Sequence, residues 1–154
     1  METCVRLALP PDLRALAPLL AALWPDSPAE DHARELQLIL AGKAPGKLPL
    51  VIFVAEDSKG SLVGFLECGL RSHAESCNPS RPVGYVEGWY VAEEHRQRGI
   101  GKSLLAAAEE WGRGQGCVEM ASDAVIDNVL SQKVHQRLGF AVVERSIHFR
   151  KALQ

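Results

Sequence analysis

What this chain of 154 residues lacks narrows its role first. Neither sign of charge dominates, since the formal net charge is −2, so the electrostatic footprint of a nucleic-acid binder is missing. No stretch interleaves aromatic with basic residues, as a base-stacking surface would. No apolar run approaches the roughly 18 residues that a membrane-spanning helix needs. No leader-like segment stands before Val5, and the expected compartment is the cytoplasm. Cysteine is sparse: Cys4, Cys68, Cys77 and Cys117 are scattered and form no C-x-x-C pair. That pattern argues against zinc and thioredoxin-like sites and against a secreted disulfide framework. No repeat, low-complexity tract or linker divides the chain, so one domain over residues 1–154 is expected, with no metal site.

What is present suits a soluble core: 47% of residues are hydrophobic and 23% charged. Val5–Leu9 alternates and predicts a strand, and Asp12 is placed to cap the helix that follows. Leu13, Leu16, Leu19, Leu20 and Leu23 keep helical spacing, with Pro18 as a possible kink. A second helix is expected over residues 29–40, then a loop over 42–49. Residues 50–55 and 62–70 read as a hairpin turned at Asp57-Ser-Lys-Gly60. A polar loop from Arg71 to Pro82 leads to a strand over residues 83–91. A helix over 99–114, a short strand over 118–122 and a helix over 127–138 follow, the last burying Leu130, Val134 and Leu138. Strands at 140–144 and 147–150 close the order β-α-α-β-β-β-α-β-α-β-β, an α/β (α+β) arrangement with a mostly antiparallel sheet.

The most informative segment is Val91-Ala-Glu-Glu-His-Arg-Gln-Arg-Gly-Ile-Gly-Lys-Ser-Leu-Leu105. An apolar strand runs into a basic turn that opens a helix. The spacing Arg96-x-x-Gly99-x-Gly101 leaves little side-chain bulk at two points, so amide N–H groups can crowd around one anion at the positive end of the helix. Arg96, Arg98 and Lys102 add charge. A plain strand-to-helix turn is the alternative. The Walker loop is a poor match, because Arg96 occupies the place of its first glycine. The dinucleotide fingerprint fails as well, with Leu104 in its third glycine position.

Further landmarks keep a fixed order. The strand Tyr85-Val-Glu-Gly-Trp-Tyr-Val91 precedes the turn, and Asp127-Asn128-x-x-Ser131-x-x-x-His135-x-x-Leu138-Gly139-Phe140 follows it. Together they resemble the GNAT superfamily of N-acetyltransferases. Leu23-Trp24-Pro25, Glu87-Gly88, Glu119-Met-Ala-Ser-Asp123 and Ser131-Gln-Lys-Val-His-Gln-Arg-Leu-Gly-Phe140 are similar, more narrowly, to the aminoglycoside 6′-N-acetyltransferases. His135 stands where many superfamily members have Tyr. The loop from Arg71 to Pro82 offers only His73 and Cys77 where family members often present an aromatic residue.

The resemblance implies direct acetyl transfer from acetyl-CoA to a primary amine of an aminoglycoside, a resistance activity, with no metal and a homodimer paired through sheet or C-terminal strand contacts. It implies a cosubstrate site at Trp89, Val91, Arg96, Arg98, Gly99, Gly101, Lys102, Ser103, Asn128, Ser131 and His135. A bulge near Gly88 would let the pantetheine arm lie along the strand, with a main-chain N–H near Trp89 polarising the thioester. The other reading of Gly88 is a packing glycine.

Glu87 interrupts an apolar strand, which strands seldom do with Glu. It reads as an acidic wall or as a base acting through water, against a plain solvent-facing position. Asp123 would hold a second ammonium, or else cap a helix. Trp24 and Asp26, with Glu30 and Asp31, form an aromatic-acidic group that suits an amino sugar, or else a core plug beside solvated acids. His135 is the candidate acid for the leaving sulfur, or a structural helical histidine. Two rival functions remain at this level: an acetyltransferase for a peptide N-terminus, polyamine or other small amine, and a non-catalytic acyl-CoA-binding module.

Overall fold

The computed structural model describes every residue except Met1, Pro45 and Lys47, so part of the 42–49 loop lies outside the described residues. The chain forms two compact units, Met1–Ser122 and Asp123–Gln154.

The first unit is one sheet with helices packed on it. Its elements are β1 (Cys4–Leu7), α1 (Leu13–Leu23), α2 (Ala29–Leu40), β2 (Leu50–Glu56), β3 (Leu62–Arg71), β4 (Val83–Val91), α3 (Ile100–Gly114) and β5 (Met120–Ser122). The strands lie in sequence order, antiparallel from β1 to β4, with β5 parallel to β4. The β2–β3 hairpin closes at Asp57, whose carboxylate accepts the amides of Lys59 and Ser61 at 2.9 Å each. Pro18 sits inside α1 without ending it.

Side-chain alternation assigns the two faces. Ile52, Val54 and Phe65 pack with Leu16 and Leu20 of α1 and Leu36 and Ile39 of α2. The opposite face meets α3: a Cβ on Gly64 would lie 3.4 Å from the Leu104 side chain. Burying the helical leucines contributes about 2 kcal/mol each, which is why α1 survives an internal proline. Asp12 occupies the N-cap position of α1 but makes no capping bond. Its carboxylate instead binds the guanidinium of Arg6 and the amide of Leu9.

The second unit contains α4 (Val129–Arg137), shorter than expected, with Asn128 as N-cap and Gly139 at φ +100° just past its end. None of its residues is fully buried, and Leu130 is 64% exposed, so the expected inward stripe is corrected for Leu130; Val134 and Leu138 are half-buried. The expected strands at 140–144 and 147–150 are also absent. Their β-prone residues find no ladder among the described residues, and a strand exists only when a neighbour takes its hydrogen bonds. Val143, Ile147 and Phe149 stay exposed there.

Candidate active site

The site region begins at an irregularity in β4. Gly88 pairs with Glu67 and Val86 with Cys68, so Glu87 is an extra residue without an opposite number. This is a β-bulge at the place where the sequence suggested one. A bulge puts two consecutive side chains on one face. Glu87 therefore shares the α1/α2 face with its neighbour Gly88 as well as with Glu67, Tyr85 and Arg71. The parallel β4–β5 ladder also ends at the Val86–Ser122 pair, and β4 runs on past it to Val91.

Glu87 is held by Arg71 through two parallel bonds, Nε donating to Oε1 at 2.9 Å and Nη2 donating to Oε2 at 2.8 Å. The guanidinium also lies 3.5 Å from the centre of the Tyr85 ring. Arg71 was not among the sequence candidates. The bidentate guanidinium fixes the direction of the Glu87 carboxylate.

Trp24 lies over Gly88. A Cβ at Gly88 would overlap the indole, whose Cζ2 would be 2.6 Å away. Gly88 is thus required by Trp24, a neighbour in space and not in sequence. The Trp24 ring stacks on buried His32 at 6.1 Å, and His32 Nε2 stands 3.0 Å from the Trp24 carbonyl. Trp24 is half-buried against the α1/α2 core, so it is a fixed wall. Asp26 is exposed in the turn that follows α1.

Glu67 stands in the same cross-strand row as Gly88 and Ile52. It is 6% exposed, and no described residue hydrogen-bonds or ion-pairs with its carboxyl. Burial, then the charges of Glu35 and Glu87, push its pKa up to about 7. The signal that flagged Glu87, a Glu inside an apolar strand, was equally present in Gly64-Phe-Leu-Glu67-Cys-Gly. Next to it, burial pushes the Cys68 thiol up to about 12, which makes it a poor nucleophile. Among the described residues, no three His, Cys, Asp or Glu side chains are grouped to hold a metal ion.

At the end of β4 the turn has Gln97 at φ +60° and Gly99 at φ +81°, and α3 starts at Ile100. Its first helical bond runs from the Ser103 amide to the Gly99 carbonyl, 3.0 Å. The amides of residues 97–102 donate to no described residue. Together with the helix dipole they form a concave group of donors suited to an anion. Gly101 has ordinary φ, and a Cβ there would sit 3.5 Å from Trp89 Nε1, in normal contact. The fold itself therefore does not require glycine at 101. Arg98 and Lys102 are exposed around the turn. Arg96, though exposed, folds back on β4, donating from Nε to the Val91 carbonyl at 2.8 Å and lying 5.5 Å from the Tyr90 ring centre. Ser103 Oγ bonds back to the Gly99 carbonyl at 3.2 Å.

Within the second unit, Asn128 Oδ1 accepts the Ser131 amide at 3.0 Å. His135 Nδ1 lies 2.7 Å from the Ser131 carbonyl and 3.3 Å from Ser131 Oγ, and the ring meets Phe140 edge-on at 5.1 Å. A carbonyl only accepts, so Nδ1 carries the hydrogen of that contact. Asp123 is exposed at the start of this unit. The structure thus joins Asn128, Ser131 and His135 on one helix, and Trp24 and Glu87 on one sheet face.

Known proteins share this arrangement in sequence and in fold. An aminoglycoside N(6′)-acetyltransferase type 1 of Stenotrophomonas maltophilia is 40% identical over 97% of this chain and 94% of its own. One of Klebsiella aerogenes is 41% identical over 85% of this chain and 84% of its own. A solved structure of AAC(6′)-Iy, in complex with the bisubstrate analogue CoA-S-monomethyl-acetylneamine, superposes with a TM-score of 0.89 at 36% identity, covering 99% of this chain and 100% of the other. The sequence profile of the acetyltransferase (GNAT) family matches residues 13–140, from the first residue of α1 to just beyond α4. A match that spans the strand, the bulge and the glycine-bearing basic turn makes this chain a member of the acetyltransferase (GNAT) family.

Proposed function

We infer that the chain is an aminoglycoside 6′-N-acetyltransferase that uses acetyl-CoA as cosubstrate. One observation carries the chemistry: β4 outruns its parallel neighbour at a bulge and leads into a turn whose amides donate to no described residue. A diphosphate suits those amides, and an extended pantetheine arm suits the strand that leads to them. The acceptor class comes from the relatives, which are named for this activity over nearly the whole chain.

In this reading residues 97–102 hold the CoA diphosphate, with Arg98 and Lys102 adding charge around it. Arg96 and Ser103 brace the turn from within. Trp89 and Val91 line the arm, and Asn128, Ser131 and His135 serve the thioester end. Trp24 covers the sugar, while Glu87, Asp26 and Asp123 attract its ammonium groups. The acetyl group passes directly to the amine, and alignment of amine and thioester supplies much of the rate. One acetyltransferase domain over 1–154 fits a family match that crosses the boundary between the two units.

The compartment is the cytoplasm, and in a bacterial host the activity would confer resistance. No described helix is long and apolar enough to cross a membrane. A homodimer is part of the same proposal, with exposed Val143, Ile147 and Phe149 as its contacts. Light scattering at twice the chain mass, lost on Phe149→Asp, is the expected outcome.

Thiol release with acetyl-CoA tests the acceptor. A 6′-amino aminoglycoside should be turned over and its 6′-hydroxy counterpart should not. Turnover of peptides alone would overturn the reading.

A further inference from the structure

We propose that Glu67 is the group that takes the proton from the acceptor amine, while Glu87 anchors the acceptor beside it. The assignment rests on the acetyltransferase reading above and goes further by naming the base.

The argument is geometric first. The bulge puts Glu87 and Gly88 on the same face of β4, where Trp24 lies over Gly88, and Glu67 is directly across from Gly88 on that face. Of the two carboxylates, Glu87 is already committed to Arg71 through both oxygens. Glu67 is more than nine-tenths buried, and no described residue satisfies it. An unpaired buried carboxyl is costly unless something is gained from it. No side-chain oxygen among the described residues is both sealed and unbonded, so the Glu67 carboxyl keeps an opening.

The surroundings set its proton affinity. Glu35 from α2 and Glu87 from β4 both raise it, after burial itself. Arg71 on the same strand is spent on Glu87, and His32 of α2 directs Nε2 to the Trp24 carbonyl. The buried side chains of α1 and β2 on this face, Leu16, Leu20, Ile52 and Val54, are apolar. A base that titrates near pH 7 is well matched to an ammonium group at neutral pH.

The step balances. The ammonium gives one proton to the Glu67 carboxylate. The neutral amine attacks the thioester carbonyl, the C–N bond forms and the C–S bond breaks. The second proton on nitrogen passes to the departing CoA thiolate, and Glu67 returns its own proton to water. The products are the amide and CoA thiol.

The test follows thiol release by the full chain with a 6′-amino aminoglycoside across pH. Wild-type kcat/KM should fall on the acid side with a limb near pH 7. Glu67→Gln should lower kcat about 100-fold and abolish that limb, with KM for acetyl-CoA within about threefold. Glu87→Gln should keep the limb and raise acceptor KM instead. Glu67→Gln with wild-type kcat and an intact limb would overturn the assignment. Should Glu67→Gln fail to fold, Glu67→Asp decides: a kcat about tenfold lower with the limb kept supports the role, and an unchanged kcat overturns it. If the unaltered chain turns over no aminoglycoside, the acceptor reading fails, and the same variants are compared on whichever amine it does acetylate.

Discussion

Two groups of carboxylates sit on the same sheet and are treated in opposite ways. At the β1–β2 edge, Asp12 and Glu56 share Arg6, with N–O distances of 2.7 and 2.8 Å. The Arg6 bonds hold the Asp12 carboxyl below its ordinary range, and the two acids raise Arg6 in turn. At the β3–β4 bulge, the Glu67 carboxyl has no bonded counter-charge among the described residues, and burial, then the charges of Glu35 and Glu87, push its pKa up to about 7. The first group is satisfied internally and serves the fold. In the second, Arg71 satisfies Glu87 while the Glu67 carboxyl has no bonded partner among the described residues, which fits the role proposed for it.

The difference predicts opposite responses to pH. A carboxyl whose pKa is raised on folding binds more protons folded than unfolded between its ordinary value and about 7, so stability falls as pH rises through that window. A carboxyl whose pKa is lowered, like Asp12, adds stability above its ordinary value and loses it as pH falls through the folded one.

The largest effect should come from Glu67→Gln. Removing the buried charge is expected to stabilise the protein by on the order of 2 kcal/mol at pH 8, with the gain fading toward pH 5, as urea denaturation would measure. A destabilised variant at pH 8 would break the comparison. Next is Arg6→Gln, which leaves two acids facing one another at a partly exposed edge. Its cost should be about 1 kcal/mol near pH 7 and should vanish once both acids are protonated. A cost that persists in acid would mean that packing of the Arg6 stem, not charge, holds that edge.

The smallest effect on stability belongs to Gly101→Ala, a control in a region with neither group. Alanine is the better helix former and meets no clash, so stability should rise by about 0.5 kcal/mol. Acetyl-CoA binding should nonetheless weaken about tenfold by calorimetry, because the Cβ enters space a ligand would use. Unchanged affinity would remove Gly101 from the diphosphate site.

Local signals were read well where they were strong. The helix at 29–40 and the strand at 83–91 have the bounds that spacing and flanking prolines suggested, and the hairpin closes at Asp57 as its turn chemistry demanded. Glu87 was visible as a charge in an apolar strand. Its face was not, because alternation counted from Tyr85 and from Gly88 gives opposite answers, and only the bulge reconciles them. Arg71 escaped notice in a polar loop entry, where an arginine is unremarkable until its partner is known. Residues 140–150 misled for the converse reason, since β propensity is local and a ladder partner is not.

The amino-acid sequence by itself determined the order of elements, the glycine-bearing basic turn and the family to which it belongs, because periodicity, turn chemistry and residue spacing are written along the chain. Only the tertiary structure decided that Gly88 makes room for Trp24, that Arg71 binds Glu87 and that Glu67 is buried on that face with no partner among the described residues. Those relations depend on strand register and on which side chains meet across it, and a one-residue bulge is enough to exchange one face for the other.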